Sequence, residues 1–296
     1  MDIKSYLNEK RGLIDSYLKL YFDKPSSPAV LYDAMKYSLL AGGKRIRPIL
    51  ALASYEACGG NAKDIIPQAA ALELIHTYSL IHDDLPAMDN DDIRRGKPTN
   101  HKVFGDAVAI LAGDALLTEA FTMITNTLYN GKITKPLPLM KVVREIAIAA
   151  GHNGMVGGQA QDILSENSEP DRDMLDFIHL HKTAALITAS VRIGPILAKS
   201  RKKQLHALTE YGQNIGLAFQ IVDDILDVEG TTEVLGKSAG SDSRKKKMTY
   251  PSLFGVAGAR QRAKELLSIA GDALTIFASE ADPLREIAVY LIDRKT

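Results

Sequence analysis

Residues 69–89 read AAALELIHTYSLIHDDLPAMD, an apolar run that ends in a burst of carboxylates. From 69 to 82 apolar side chains cover most of the helical circumference, so the segment belongs at the centre of a bundle. Stretches 107–120 and 213–226 have the same character. Around them helical periodicity dominates. Residues 28–57, 64–85, 105–129, 137–153, 172–199, 202–228, 250–278 and 282–294 all read as helices, many rich in Ala and Leu. Breakers fall between them at Gly59-Gly60, Lys97-Pro98, Pro136 to Pro138, Glu169-Pro170 and Asp282-Pro283. Alternating strand-like runs are nearly absent. The expected fold is all-α, a bundle of roughly ten helices around a central cavity, with residues 1–296 as one domain.

Lys plus Arg and Asp plus Glu number 36 each, so the net charge is zero. That argues against a nucleic-acid partner, whose phosphates demand excess positive charge. A single cysteine, Cys58, permits no intrachain disulfide and suits a reducing compartment; in its Ala-rich helical setting it reads as a packed small residue. Residues 1–11 are too charged for a signal-peptide core, and no run of about 18 uninterrupted apolar residues occurs. The expectation is a cytoplasmic enzyme with no transmembrane segment.

Two acidic clusters end apolar helices: Asp83-Asp84 with Asp89, and Asp223-Asp224 with Asp227. Asp223 and Asp227 are i and i+4, so both carboxylates share a face and repel unless cations compensate. Oxygen-only donors of this kind suit Mg²⁺, which takes one or two carboxylates, keeps waters and shares substrate phosphates. Asp83 and Asp89 are six residues apart, about 240° around an ideal helix. Pro86 breaks the hydrogen-bond ladder between them, so the chain must bulge or leave the helix for the two to meet.

Basic groups stand where anions would be met. In Gly42-Gly43-Lys44-Arg45-Ile46-Arg47-Pro48 the glycines let backbone approach an anion, and Lys44 and Arg47 neighbour each other if the segment is helical. Arg94-Arg95-Gly96 follows the first acidic cluster. His76 lies seven residues before Asp83, on roughly its face, where it can be a ligand-binding group or a core histidine. Lys182-Thr183 sits in an apolar helix, where a lysine is costly without a counter-anion. Lys237 and the run 244–247 populate a long polar loop at 229–249, a candidate lid.

In chain order, GGKRIRP (42–48), DDLPAMD (83–89), RRG (94–96), GQAQD (158–162), HKT (181–183), FQIVDDILD (219–227) and KMTYP (247–251) resemble the motifs of the trans-isoprenyl diphosphate synthases, the bacterial farnesyl-forming members in particular. The resemblance spans at least residues 30–255 and implies an isoprenoid synthase fold, a homodimer and a Mg²⁺ cluster. It implies that Gly43, Lys44, Arg47, His76 and Arg95 hold the diphosphate of isopentenyl diphosphate. Asp83, Asp84, Asp89, Asp223 and Asp227 would serve the metal. Arg94, Lys182, Thr183, Gln220, Lys237 and Lys247 would face the allylic diphosphate. The implied reaction adds isopentenyl diphosphate to dimethylallyl and then geranyl diphosphate, giving (2E,6E)-farnesyl diphosphate; geranylgeranyl diphosphate is the alternative product. Tyr78, with Ser79 beside it, lies about 7.5 Å along the helix from Asp83 and reads as the floor that sets chain length. A class I terpene cyclase would not need the GGKRIR site and would usually carry more aromatics. A non-catalytic subunit of a two-component synthase should lack one acidic cluster, and both are present.

Overall fold

The computed structural model describes residues 1–129, 131–166, 171–229 and 248–293. Thirteen α-helices carry the fold among them. Helix α1 (Ile3–Tyr21) was not expected; Asp2 caps it through the Lys4 N–H, and Ile14 and Leu18 are fully buried. The single helix expected over 28–57 is two, α2 (Ala29–Leu39) and α3 (Ile46–Ala57). Between them Gly42 and Gly43 take φ of 89° and 136°, and Arg45 takes 53°, conformations that no continuous helix contains. Helix α4 (Ile66–Asp83) follows, then α5 (Asn100–Phe104), α6 (Asp106–Ile124), α7 (Pro136–Ala150) and α8 (Met155–Leu164). Helix α9 (Arg172–Ile178) passes through a π-helical turn, His179–Ala184, into α10 (Ala185–Leu197). Helices α11 (Lys202–Glu229), α12 (Tyr250–Ala273) and α13 (Asp282–Asp293) complete the set. The only strands among the described residues are two short hairpins, β1 (Ile93–Arg94) with β2 (Lys97–Pro98) and β3 (Leu128–Tyr129) with β4 (Lys132–Ile133).

Helix α4 is central, as its all-round apolarity requires. Leu72, Leu74 and Ile75 are fully buried, and Ala69 to Ala71 let α6 approach through Ala109, Ala112 and Leu116. A second core joins α3, α10, α11 and α13 through Ile49, Leu50, Val191, Leu208, Tyr211 and Leu284, where the Tyr211 hydroxyl donates to the Leu284 carbonyl at 2.6 Å. A third lies between α11 and α12 around Ile221, Ile225 and Leu266. Each such Leu or Ile contributes about 1.5–3 kcal/mol by leaving water. Helix α6 is the one helix among the described residues long and apolar enough to cross a bilayer. Its Ala112, Leu116, Ala120 and Met123 pack into the bundle instead, while Ile110 and Leu111 remain 44% and 54% exposed.

Candidate active site

Helix α4 ends at Asp83, three residues before Pro86, because the residue preceding a proline is pushed out of the helical region. The chain then turns back on itself. The Asp89 N–H donates to the Asp83 carbonyl at 2.8 Å, and Asn90, at φ 52°, donates to the Leu85 carbonyl at 3.0 Å. The return brings Asp89 to the end of the helix and removes the 240° mismatch. Asp84 goes elsewhere: its two oxygens accept from Arg94 Nε at 2.7 and 2.9 Å, with Arg94 Nη2 at 2.6 Å from Oδ1. Arg94 therefore occupies Asp84, and in this state a metal reading rests on Asp83 and Asp89.

Burial pushes the Asp83 carboxyl up to about 6; Lys182 and Arg94 oppose the rise, and the charges of Asp89 and Asp84 add to it. The native pKa thus exceeds the unfolded value near 4, so the native state binds this proton more tightly. The stabilisation is present at pH 4 and is lost as pH rises through 6. In metal-free buffer at pH 7.5, Asp83→Asn is expected to stabilise the protein by on the order of 1–2 kcal/mol, and at pH 4 to change little. Urea melts at the two pH values check this; equal destabilisation at both would mean that the ionised carboxylate itself is needed by the fold.

The second cluster has no proline, and α11 runs straight through it to Glu229. Asp223 and Asp227 keep their shared face, and Asp223 is close enough to support the charge on Arg47. Asp224 is buried and tied down: Oδ2 accepts from His179 Nε2 at 2.9 Å and from the Tyr250 N–H at 3.0 Å, and Oδ1 from Gln220 Nε2 at 3.0 Å. That fixes the Gln220 amide, whose Oε1 accepts from the Thr183 hydroxyl at 2.8 Å. Lys182, in the π-helical turn, donates to Asp162 Oδ2 at 2.6 Å, so the last residue of GQAQD is its counter-anion. Lys237 and Lys247 lie outside the described residues.

A second group of cations lies farther back along α4, around His76 and Glu73. Arg95 and Gly96 form the two-residue turn of the β1–β2 hairpin with φ of 53° and 73°, as a type I′ turn demands. The turn aims the Arg95 guanidinium at the Gly42 carbonyl, to which it donates, with Glu73 Oε1 at 4.0 Å. A side chain at Gly43 would place Cβ 2.9 Å from that guanidinium, so glycine makes the room. Arg47 stands in the first turn of α3 with Nε buried and without a hydrogen bond. His76 is held well below its usual pKa, first by burial and then by Arg47, Arg95, Arg94 and Arg45, so the imidazole is neutral at pH 7. Lys44 and Arg47 do not share a helix face: Arg45 is left-handed, and Lys44 stays exposed in the loop. Arg45, passed over in the sequence, is buried and bonded to Asp15 at 2.9 Å, Glu73 at 2.7 Å and the Leu39 carbonyl at 2.8 Å.

The structure thus joins a carboxylate end at Asp83 and Asp89 to a cation pocket of Arg47, Arg95 and neutral His76, with Asp223 of α11 within electrostatic reach of Arg47. Residues 28–278 match the polyprenyl synthetase family. The chain belongs to that family. It is 46% identical to a geranylgeranyl diphosphate synthase of Cyanophora paradoxa, over 99% of this chain and 97% of that protein. It is 47% identical to a farnesyl diphosphate synthase of Geobacillus stearothermophilus, over 88% of each. The fold superposes on the apo crystal structure of an FPP/GFPP synthase from Zymomonas mobilis with TM-score 0.87 and 38% identity, covering 98% of this chain and 99% of that one. This polyprenyl synthetase is a prenyltransferase with the all-α isoprenoid synthase fold that its motifs imply. Its relatives carry both farnesyl and geranylgeranyl names, so the choice of product has to come from the site.

Proposed function

We propose that this prenyltransferase condenses isopentenyl diphosphate with dimethylallyl and then geranyl diphosphate, and releases (2E,6E)-farnesyl diphosphate. The observation that supports it most is the pairing on α4 of a half-buried carboxylate at Asp83 with a cation pocket at Arg47, Arg95 and His76, two ends for two diphosphates. Asp83 and Asp89 are oxygen donors pressed together at a cost that a cation removes, and among the described residues no group of three or more ligands stands ready-made. Two carboxylates completed by substrate oxygens is what Mg²⁺ takes, so the residues fit it. Asp83, Asp89 and Asp223, with Asp227 beside them, would hold it. When bound, Mg²⁺ supplies Lewis-acid stabilisation of the diphosphate leaving group.

The chain's own groups do the rest. Lys182, steadied by Asp162, and Arg94, steadied by Asp84, present fixed positive charge to a leaving diphosphate. Gln220 and Thr183, oriented by Asp224, line the same end. Arg47, Arg95 and His76 orient isopentenyl diphosphate for attack by its double bond. His76 is a poor base because four arginines oppose its protonation, which leaves the departed diphosphate to accept the proton. Apolar walls exclude the water that would quench an allylic cation. Incubating the enzyme with labelled isopentenyl diphosphate and dimethylallyl diphosphate, with Mg²⁺ or with chelator, tests this. A fifteen-carbon product that disappears on chelation is expected; no chain elongation with Mg²⁺ present would refute it.

Chain length rests on Tyr78. The residue is 5% exposed, sits edge-on to His82 with ring centroids 5.8 Å apart, and has its hydroxyl pushed up to about 12 by burial and by Asp83. It is a neutral, tightly packed ring within electrostatic reach of Asp83. His82 Nε2 is 3.0 Å from the Ile110 carbonyl of α6, which braces the pair. Ser79 is small and bonds the His76 carbonyl at 3.0 Å, so it offers no barrier. A tail anchored at Asp83 meets the Tyr78 ring, and a packed interior yields little to added volume. Tyr78→Ala is expected to shift output from fifteen to twenty carbons or more under excess isopentenyl diphosphate, read by product chromatography. A folded variant that still releases only farnesyl diphosphate would remove Tyr78 from this role. The same reading includes a homodimer covering the exposed apolar side of α6, Ile110 and Leu111. Light scattering is expected to give about twice the 32.2 kDa chain mass; a monomer at micromolar concentration would contradict it.

A further inference from the structure

Three arginines, Arg45, Arg47 and Arg95, crowd one side of α4, and one acidic side chain is buried among them. Glu73 is 1% exposed. Its Oε1 accepts from Arg45 Nη1 at 2.7 Å and lies 4.0 Å from Arg95 Nη2. Its field supports the charge on Arg45, Arg47 and Arg95 alike, while Arg95 works against Arg47 and Arg45 against Arg95. Arg45 has two further anchors, Asp15 and the Leu39 carbonyl. Arg95 has the Gly42 carbonyl, and Arg47 Nε has no hydrogen bond. Without an anion, Glu73 is the buried charge that offsets the mutual repulsion of the cluster. With an anion bound, the same carboxylate repels it.

We infer that Glu73 is a positioning residue of the cation pocket: a buried counter-charge that keeps Arg47 and Arg95 assembled before a diphosphate arrives and weakens the pocket's hold once it is bound. This rests on the reading of the pocket as the isopentenyl diphosphate end. Glu73→Gln separates charge from shape. Its Oε1 still accepts from Arg45, and at 4.0 Å the contact with Arg95 is electrostatic rather than a hydrogen bond, so only the charge is lost.

The test is calorimetric titration of inorganic pyrophosphate into metal-free enzyme, so that the carboxylate end does not contribute. Wild type is expected to bind. Glu73→Gln is expected to bind ~10-fold more tightly, since a unit charge roughly 10 Å from an anion, across the guanidinium layer, is worth about that factor at an effective dielectric of about 20. Glu73→Asp, which keeps the charge, should restore wild-type affinity. The Gln variant should melt lower than wild type without pyrophosphate and approach it as pyrophosphate is added. Its KM for isopentenyl diphosphate should fall while the KM for geranyl diphosphate holds. Unchanged or weaker pyrophosphate binding by Glu73→Gln would overturn the inference, as would a variant that fails to fold even with pyrophosphate. If wild type itself does not bind metal-free pyrophosphate, the reading of the pocket fails, and the role of Glu73 with it.

Discussion

Asp83→Asn is expected to lower turnover about a thousandfold and leave the protein folded. The carboxylate stands at the end of α4, where burial and the neighbouring Asp89 and Asp84 make its charge unfavourable unless a cation is present. Asparagine keeps its shape, and the main-chain bond from the Asp89 N–H to the residue 83 carbonyl does not depend on the side chain, so the returning turn should persist. What disappears is the anionic oxygen that would ligate Mg²⁺. Asp223→Asn should behave alike, since the residue lies inside α11, and asparagine keeps its shape in a helix that runs on to Glu229. Steady-state turnover and melting in metal-free buffer check both. A variant whose melting temperature collapses without metal would show that the carboxylate belongs to the fold rather than to the chemistry.

Arg47→Ala is expected to cut kcat/KM for isopentenyl diphosphate by about 10²–10³-fold, with the KM for the allylic substrate nearly unchanged. Removing one partner of a desolvated charge pair typically costs ~2–5 kcal/mol of binding. The free protein should not suffer. Arg47 has a buried Nε without a hydrogen bond, and burial together with Arg95 works against its charge. Truncation removes an ill-matched cation and should leave stability unchanged or slightly raised. Initial-rate kinetics with each substrate varied in turn make the measurement. An equal loss of affinity for the allylic diphosphate would contradict the separation of the two ends.

The parts of this molecule that follow from local rules were legible in the sequence. All-round apolarity identified α4 and α11 as inner helices, whereas α6, read the same way, lies at the surface with Ile110 and Leu111 exposed; Pro86 required the chain to leave α4 before Asp89 could return. The need of Lys182 for an anion was equally plain, although only the fold brings Asp162 to it from 20 residues away. Other features depend on tertiary packing. Helix α8 was missed because Gly157-Gly158 argues against a helix; the structure uses Gly158 for close approach, where a Cβ would lie 2.1 Å from the Lys182 main-chain nitrogen. Helix α1 was hidden by its charges, though Ile14 and Leu18 lie on one face. The type I′ turn carries Arg-Gly instead of the Asn-Gly that usually signals it.

Among Lys44, Arg45 and Arg47, sequence alone could not tell which cation is buried. The left-handed backbone at Arg45 decides that by turning its side chain toward Asp15 and Glu73. The claim of Arg94 on Asp84 spans a ten-residue loop whose course no periodicity reveals. In the sequence Glu73 is one charge in an apolar helix, and its reason for being there appears only with three arginines around it.

The central claim is that one helix, α4, divides two diphosphates between a carboxylate end and a cation pocket. A crystal structure with isopentenyl diphosphate, Mg²⁺ and an unreactive thio-analogue of dimethylallyl diphosphate tests it most directly. The two-ended site predicts metal between Asp83, Asp89, Asp223 and the allylic diphosphate, with Arg47 and Arg95 on the isopentenyl diphosphate and no metal there. Both diphosphates bound through metal at the carboxylates, with Arg47 and Arg95 touching neither, would contradict it.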